Sequence, residues 1–217
     1  RSIYNVEKNA QGVDRHIDVQ IIGIFMIDIK LQNGILKYIP EFYKPKEANN
    51  LYEQIMDGIN LEQNEITIFG KTYNTPRLEA FYARNGEKYG YSGKKMKTQG
   101  FTPLIDSICK KIETFTGERF NSVLVNLYRD GQDSNGWHSD DEKELGPKPF
   151  IASLSLGETR EIQFKHKKSG ERSVYSLENG SLMLMSGEIQ KYWKHQVPKT
   201  KRKKEARLNL TFRKIIG

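Results

Sequence analysis

Apolar positions along the 217-residue chain follow two different periods. Between Pro40 and Asn60, the residues Ala48, Leu51, Tyr52, Ile55 and Met56 fall three and four apart, which places them on one helix face, and Pro45-Lys-Glu supplies a start. The run Leu104-Ile-Asp-Ser-Ile-Cys-Lys-Lys-Ile112 repeats the pattern, so a second helix is predicted from Thr102 to Thr116, stopping before Gly117. Ile66 to Tyr73 reads as strand broken at Gly70. Pro76 to Gly100 is rich in Gly, Tyr, Lys and Asn and predicts loops and hairpins.

Beyond Phe120 the period shortens to two. Strand-like runs follow at Ser122–Arg129, Ile151–Leu156, Glu161–Lys165, Ser173–Leu177, Ser181–Met185, Tyr192–Pro198 and Arg207–Lys214, with Gly, Asp or Pro between them. Many short strands indicate a sandwich or jelly roll. Helices come first and strands later, which makes the class α+β with a β core. Residues 1–35 read as an N-terminal extension with one short strand. Residues 36–217 read as the functional domain, with helices and hairpins over 36–120 and the β core over 121–217.

Composition narrows the setting. Hydrophobic residues make up 36% and charged residues 29% of the chain, enough for a core and a soluble surface. Lys and Arg outnumber Asp and Glu by 35 to 27, and the net charge of +8 suits a polyanionic partner. The longest basic run is Lys199-Thr-Lys-Arg-Lys-Lys204. Cys109 is the single cysteine, sits in an apolar run and is read as buried packing; it fits a reducing compartment. The apolar run Val19–Ile27 is too short to cross a bilayer. The expectation is a soluble intracellular monomer without membrane attachment, in the nucleus of a eukaryote or the cytoplasm of a bacterium.

Only four histidines are present: His16, His138, His166 and His195. His138 and Asp140 lie two apart, a spacing that aims both at one point from an extended strand. His195, from a distant strand, could complete a face of three ligands. Two histidines and one carboxylate leave three octahedral positions open, the arrangement a non-haem Fe(II) oxygenase needs. Taken alone the pattern is equally compatible with a structural role. His16 has Asp18 two residues on but no later strand partner, His166 has no such carboxylate, and both read as surface residues.

The surrounding blocks resemble the AlkB family of Fe(II)/2-oxoglutarate-dependent nucleic-acid demethylases. They are Asn126-Leu-Tyr-Arg-Asp-Gly131, Trp137-His-Ser-Asp-Asp-Glu-Lys-Glu-Leu145, Ile151-Ala-Ser-Leu-Ser-Leu-Gly157, Gly180-Ser-Leu-Met-Leu-Met185, Trp193-Lys-His-Gln-Val-Pro198 and Arg207-Leu-Asn-Leu-Thr-Phe-Arg213. The resemblance implies a double-stranded β-helix (jelly-roll) core, N-terminal helices packed on it and a substrate-binding hairpin lid. It assigns His138, Asp140 and His195 to iron, and Arg207 to the distal carboxylate of 2-oxoglutarate. Arg213 is placed near the chelating end, and Asn126 and Tyr128 also touch the cosubstrate. Arg207, Asn209, Thr211 and Arg213 alternate with Leu208, Leu210 and Phe212, so the polar set shares one strand face.

The implied activity is oxidative demethylation of N-alkylated bases such as 1-methyladenine and 3-methylcytosine. It consumes O2 and 2-oxoglutarate and releases formaldehyde, succinate and CO2. Details resembling the DNA-repair branch are Asp141, matching a contact to the exocyclic amine of the base, and Tyr89-Gly-Tyr91, matching an aromatic hairpin over it. Ile68-Phe-Gly-Lys71 resembles a duplex-inserting hairpin, with Phe69 as wedge, Gly70 at the turn and Lys71 on phosphate; Phe69 at a strand end is also compatible with core packing. Lys94, Lys95, Lys97 and the 199–204 run could grip phosphates. Asn126-Leu-Tyr and Trp137-His-Ser-Asp-Asp look more like a member favouring single strands and RNA. DNA is favoured slightly, with an RNA demethylase of the same chemistry as the alternative.

Overall fold

The computed structural model describes residues 15–18, 25–68, 70–84, 90–91, 94–95 and 97–216. In chain order the strands and helices are β1 (Arg15–Asp18), β2 (Met26–Leu31), β3 (Gly34–Ile39), α1 (Pro45–Gly58), β4 (Glu62–Ile68), β5 (Lys71–Ala83), β6 (Gly90–Tyr91), β7 (Lys94–Lys95) and β8 (Thr98–Gln99). There follow α2 (Pro103–Thr116), β9 (Ser122–Tyr128), β10 (Asn135–His138), β11 (Ile151–Gly157), β12 (Arg160–His166), β13 (Arg172–Leu177), β14 (Leu182–Ser186), α3 (Ile189–Tyr192), β15 (Trp193–Val197) and β16 (Arg207–Arg213).

Both long helices begin and end on local chemistry. Thr102 Oγ1 accepts from the Ile105 amide at 3.2 Å, Pro103 opens α2, and Gly117 closes it at φ 76°. Pro45 opens α1, and Glu47 in its first turn accepts from the Lys44 amide. Their apolar faces cover one side of a large sheet: Ala48, Ile55, Ile105, Ile108 and Ile112 pack with Leu208, Leu210 and Phe212. Burying one such side chain contributes roughly 2 kcal/mol, so this layer fixes where β16 lies.

Among the described residues the large sheet runs β1-β2-β3-β14-β11-β16-β9-β5-β4, with β8 on β5. A second sheet, β10-β15-β12-β13, faces it. Phe164, Trp193, Tyr175 and Leu177 of the small sheet share a core with Leu36, Met183 and Met185 of the large one. The result is a jelly-roll sandwich with helices on the outer face of one sheet. No described helix is long and apolar enough to cross a membrane.

Three expectations change. The segment from Pro76 onward is not loop at first: β5 continues to Ala83. Its pairing with β4 shifts register between Gln63 and Glu65, a bulge that accommodates the proline without a ladder amide, and Pro76 O accepts from the Ser134 amide instead. Among the described residues the first 35 hold two strands and the start of β3 rather than one strand, and β2 pairs with β3 so that Ile29 and Leu31 enter the core between the sheets. His166 is buried, not on the surface. Its Nδ1 accepts from the Lys168 and Ser169 amides, and its ring stacks on Tyr192, so it closes the β12–β13 turn. The side chain of His16 lies outside the described residues.

Candidate active site

β10 and β15 pair antiparallel with His138 directly opposite His195. Opposed residues on neighbouring strands project from the same face, and here the ring centroids lie 4.2 Å apart. Asp140 lies two residues past the end of β10. Its amide donates to Gln190 Oε1 at 3.0 Å, and the preceding Ser139 hydroxyl donates to Trp193 O at 2.8 Å. Those two bonds turn the Asp140 side chain inward. One ligand atom from each of His138, Asp140 and His195 then lies within 4.8 Å of the others.

The protonation states suit a cation. His138 Nδ1 stands 2.8 Å from Gly136 O, so it carries the proton and leaves the Nε2 lone pair towards the site. Burial pulls both imidazoles below the usual histidine range, His195 to about 3. Burial alone would push the Asp140 carboxyl up; the Arg213 guanidinium, 2.6 Å from Oδ1, and the neighbouring His195 and His138 together outweigh it and hold the group at about 2. Two neutral imidazoles and an ionised carboxylate are the forms that bind metal. Asp140 Oδ2 is buried without a hydrogen-bond partner, 3.7 Å from His195 Nε2. A divalent ion would satisfy it, and the His-Asp-His donor set is that of a facial Fe(II) site.

β16 lies between β11 and β9 and supplies the adjoining chamber. Arg207 stands opposite Tyr128, and Asn209 opposite Asn126. Arg207 is 1% exposed; Nη2 donates to Ser155 Oγ at 2.8 Å, while Nε and Nη1 have no hydrogen-bond partner. Burial pulls its pKa down to about 10, against Tyr128, whose ring centre is 5.3 Å from Cζ. A buried guanidinium with an open fork calls for a carboxylate. Asn209 Nδ2 is engaged by Ser153 Oγ and Leu154 O, and Thr211 Oγ1 donates to Asn209 Oδ1. The chamber therefore runs from Arg207 at one end to Asp140 and Arg213 at the other.

A cleft of about 730 Å³ opens onto the same His138, Asp140 and Arg213. Ile66, Thr75 and Arg77 of the β4–β5 hairpin form one wall, and Asp141 and Glu142 belong to the other. Asp141 is paired with Lys167 at 3.2 Å. Of the remaining predicted substrate residues, Gly70 and Lys71 are not in this lining. Gly70, at φ 75°, and Lys71 are exposed at the hairpin tip, while Phe69 and Tyr89 lie outside the described residues. Tyr91 is described in backbone only, paired with Lys94. Lys199 and Lys204 border a separate groove with Arg160 and Arg202.

Several residues at the site escaped the sequence reading. Arg77 is buried; Nε donates to Asn126 Oδ1 at 2.8 Å and Nη2 pairs with Glu79 at 2.6 Å. With Oδ1 so occupied, the Asn126 amide presents its NH2 to the chamber. Gln190 seats Asp140. Arg160 ties the carbonyls of Asp130, Asp133 and Pro198 together beside Tyr128. No motif marks these residues; the nearest available signal was a charged residue inside an apolar strand.

Comparison with known proteins identifies the family. The family model described as the 2OG-Fe(II) oxygenase superfamily matches residues 35–213. A cattle protein named alpha-ketoglutarate-dependent dioxygenase alkB homolog 3 is 37% identical, over 94% of this chain and 76% of its own length. The human protein named DNA oxidative demethylase ALKBH2 is 39% identical, over 78% of this chain and 69% of its own length. A solved structure titled "The structure of OsALKBH1" superposes with a TM-score of 0.61 at 18% identity, covering 86% of this chain and 99% of that one, which shows a shared fold. The chain belongs to the 2OG-Fe(II) oxygenase superfamily, as an AlkB-like dioxygenase that depends on Fe(II), 2-oxoglutarate and O2.

Proposed function

We propose that the chain removes N-alkyl groups from nucleic-acid bases by oxidation, acting as a monomer on DNA lesions of the 1-methyladenine and 3-methylcytosine type. The observation that carries this reading is the cleft, which opens on His138 and Asp140 and keeps the Asp141 carboxylate in its wall. The names of the relatives support it: ALKBH2 is called a DNA oxidative demethylase. We take residues 36–217 as the dioxygenase unit, with β2 attached to it through β3.

His138, Asp140 and His195 would hold Fe(II), which with 2-oxoglutarate and O2 supplies the oxidising power to hydroxylate a methyl group. Arg207 would receive the distal carboxylate of 2-oxoglutarate through its open fork, and Arg213, held by Asp140, would stand at the other end. Asn126, oriented by Arg77, donates into the chamber between them. Asp141 accepts from the exocyclic amine of the base and favours the positive charge that methylation confers. The hydroxymethyl product is a hemiaminal, which collapses to formaldehyde and the restored base. Succinate and CO2 leave as the other products, and no protein nucleophile is required.

Reaching a base inside a stack requires flipping it out. The exposed Gly70–Lys71 tip, and Phe69 beside it, would serve that step on a duplex, and Tyr89 and Tyr91 would cover the flipped base. Mass spectrometry of methylated duplex DNA, single-stranded DNA and RNA, each incubated with Fe(II), ascorbate and 2-oxoglutarate, tests the reading. Loss of 14 Da per methyl group is expected, fastest on DNA. Faster turnover on RNA would move the assignment to an RNA demethylase, and no demethylation of any of the three would overturn it.

A further inference from the structure

The Asp141 carboxylate does not face the cleft alone. Lys167, from the β12–β13 turn, reaches it with Nζ 3.2 Å from Oδ2 and a second bond of 2.8 Å to Gln190 O. Gln190 in turn accepts from the Asp140 amide through Oε1. A single ammonium group thus stands between the acidic wall of the cleft and the residue that seats the metal ligand.

The turn that carries Lys167 is built to hold it. Its amide donates to Tyr192 O at 2.7 Å. His166 is 3% exposed, fixes Lys168 and Ser169 through Nδ1, and packs against Tyr192 and edge-on to Trp193. The Lys167 side chain is 26% exposed, so its charge is only partly screened. Asp141, at 59%, is the more solvated partner and the one free to swing.

We propose that Lys167 is a specificity-determining residue: by offsetting the charge of Asp141, it reduces the preference of the cleft for cationic over neutral methylated bases. The inference rests on the nucleobase reading above and adds a residue to it. The charge argument is direct. Without Lys167 the wall holds Asp141 and Glu142 next to a bound base, and a 3-methylcytosine cation gains from both. With Lys167 in place, Asp141 Oδ2 is engaged, and the cation must share that carboxylate with the ammonium. A neutral base such as 3-methyluracil, which differs in presenting a carbonyl for the amine, meets a wall that repels its oxygen less.

The test measures binding to the enzyme loaded with Fe(II) and 2-oxoglutarate under exclusion of O2, so that no turnover follows. Fluorescence anisotropy compares short single-stranded oligonucleotides carrying one 3-methylcytosine, one 3-methyluracil or no methyl group. In Lys167→Met the ratio of the two methylated affinities should rise about threefold towards 3-methylcytosine, the scale of a partly exposed ion pair. Lys167→Arg should keep the wild-type ratio. On an Asp141→Asn background, Lys167→Met should leave the ratio unchanged. An unchanged ratio with both affinities falling together would show that Lys167 only supports the turn and would overturn the proposal, as would a fall in the ratio. If Lys167→Met does not fold, a wild-type ratio that Asp141→Asn leaves unaltered would equally overturn it. A wild-type enzyme that binds neither methylated strand more tightly than the unmodified one removes the nucleobase reading itself, a result distinct from either of these.

Discussion

His138 and His195 occupy one register position across the β10–β15 pair, with ring centroids 4.2 Å apart. Two of the three candidate ligands are therefore placed by backbone pairing, and the third by a side-chain amide. The site exists as a shape before any metal enters, so removing one ligand should abolish binding without dismantling the fold. For His138→Ala and His195→Ala we expect succinate and formaldehyde release to fall below about 1% of wild type, the scale of losing a group essential to catalysis. The Tm of the metal-free protein should hold. Coupled product assays and calorimetry check this, and full turnover in His138→Ala would remove His138 from the site.

In the proposed site Gln190 would act on the metal through Asp140, whose amide donates to it. Gln190→Leu leaves the Asp140 amide without its acceptor, and Fe(II) affinity should fall about tenfold, the lower end for groups that orient a ligand. Titration with Fe(II) under exclusion of O2 measures it. Unchanged affinity would mean that Ser139 alone fixes Asp140.

Arg207 is a buried cation with an open fork, and its partner should stabilise the protein. At a hundredfold excess over Kd, 2-oxoglutarate should add about 2.7 kcal/mol, roughly 5–10 °C in Tm for a chain of this size. In Arg207→Lys the shift should shrink and the KM for 2-oxoglutarate should rise at least tenfold, because an ammonium cannot match the bidentate geometry. Differential scanning fluorimetry with and without 2-oxoglutarate is sufficient.

Stability of the metal-free protein should fall as the solution is acidified. The His195 pKa is depressed to about 3 in the fold from its ordinary 6.5, so between those values the unfolded chain binds the extra proton. Its contribution is intact above 6.5 and is lost as pH drops towards 3, with a slope of up to about 1.4 kcal/mol per pH unit. His138 is shifted the same way, and Asp140 adds a further loss between 3.8 and about 2. Urea unfolding across pH 7 to 4 should show the decline, and His195→Gln should flatten it. A wild-type curve already flat over that range would contradict a buried neutral imidazole.

What could be read in advance follows from the range of the interactions. The helices and the alternating β16 depend on near neighbours, and their apolar periods predicted them. The histidines stood out because there are only four, two of them in a specific context. Arg77 meets Asn126 across 49 residues, and Gln190 meets Asp140 across 50, so no local pattern announces either. His166 reads as a surface residue in the sequence because its partners are the amides of its own turn, which carry no residue-type signal. Pro76 misled because a bulge, visible only in the pairing register, lets β5 pass through it.

β16 is hydrogen-bonded to a strand on each side, and all seven of its residues are buried. One of its faces holds the fold together and the other carries Arg207, Asn209, Thr211 and Arg213. Under the proposed function, cosubstrate recognition and structural integrity are thus written on the same seven residues, which leaves this strand almost no room to vary. The β4–β5 hairpin, which lines the cleft, and the β12–β13 turn, whose Lys167 pairs with Asp141 of its wall, carry no such double duty. Descendants of this chain could exchange one substrate for another while keeping the oxidative engine intact, and those two segments are where such divergence would begin.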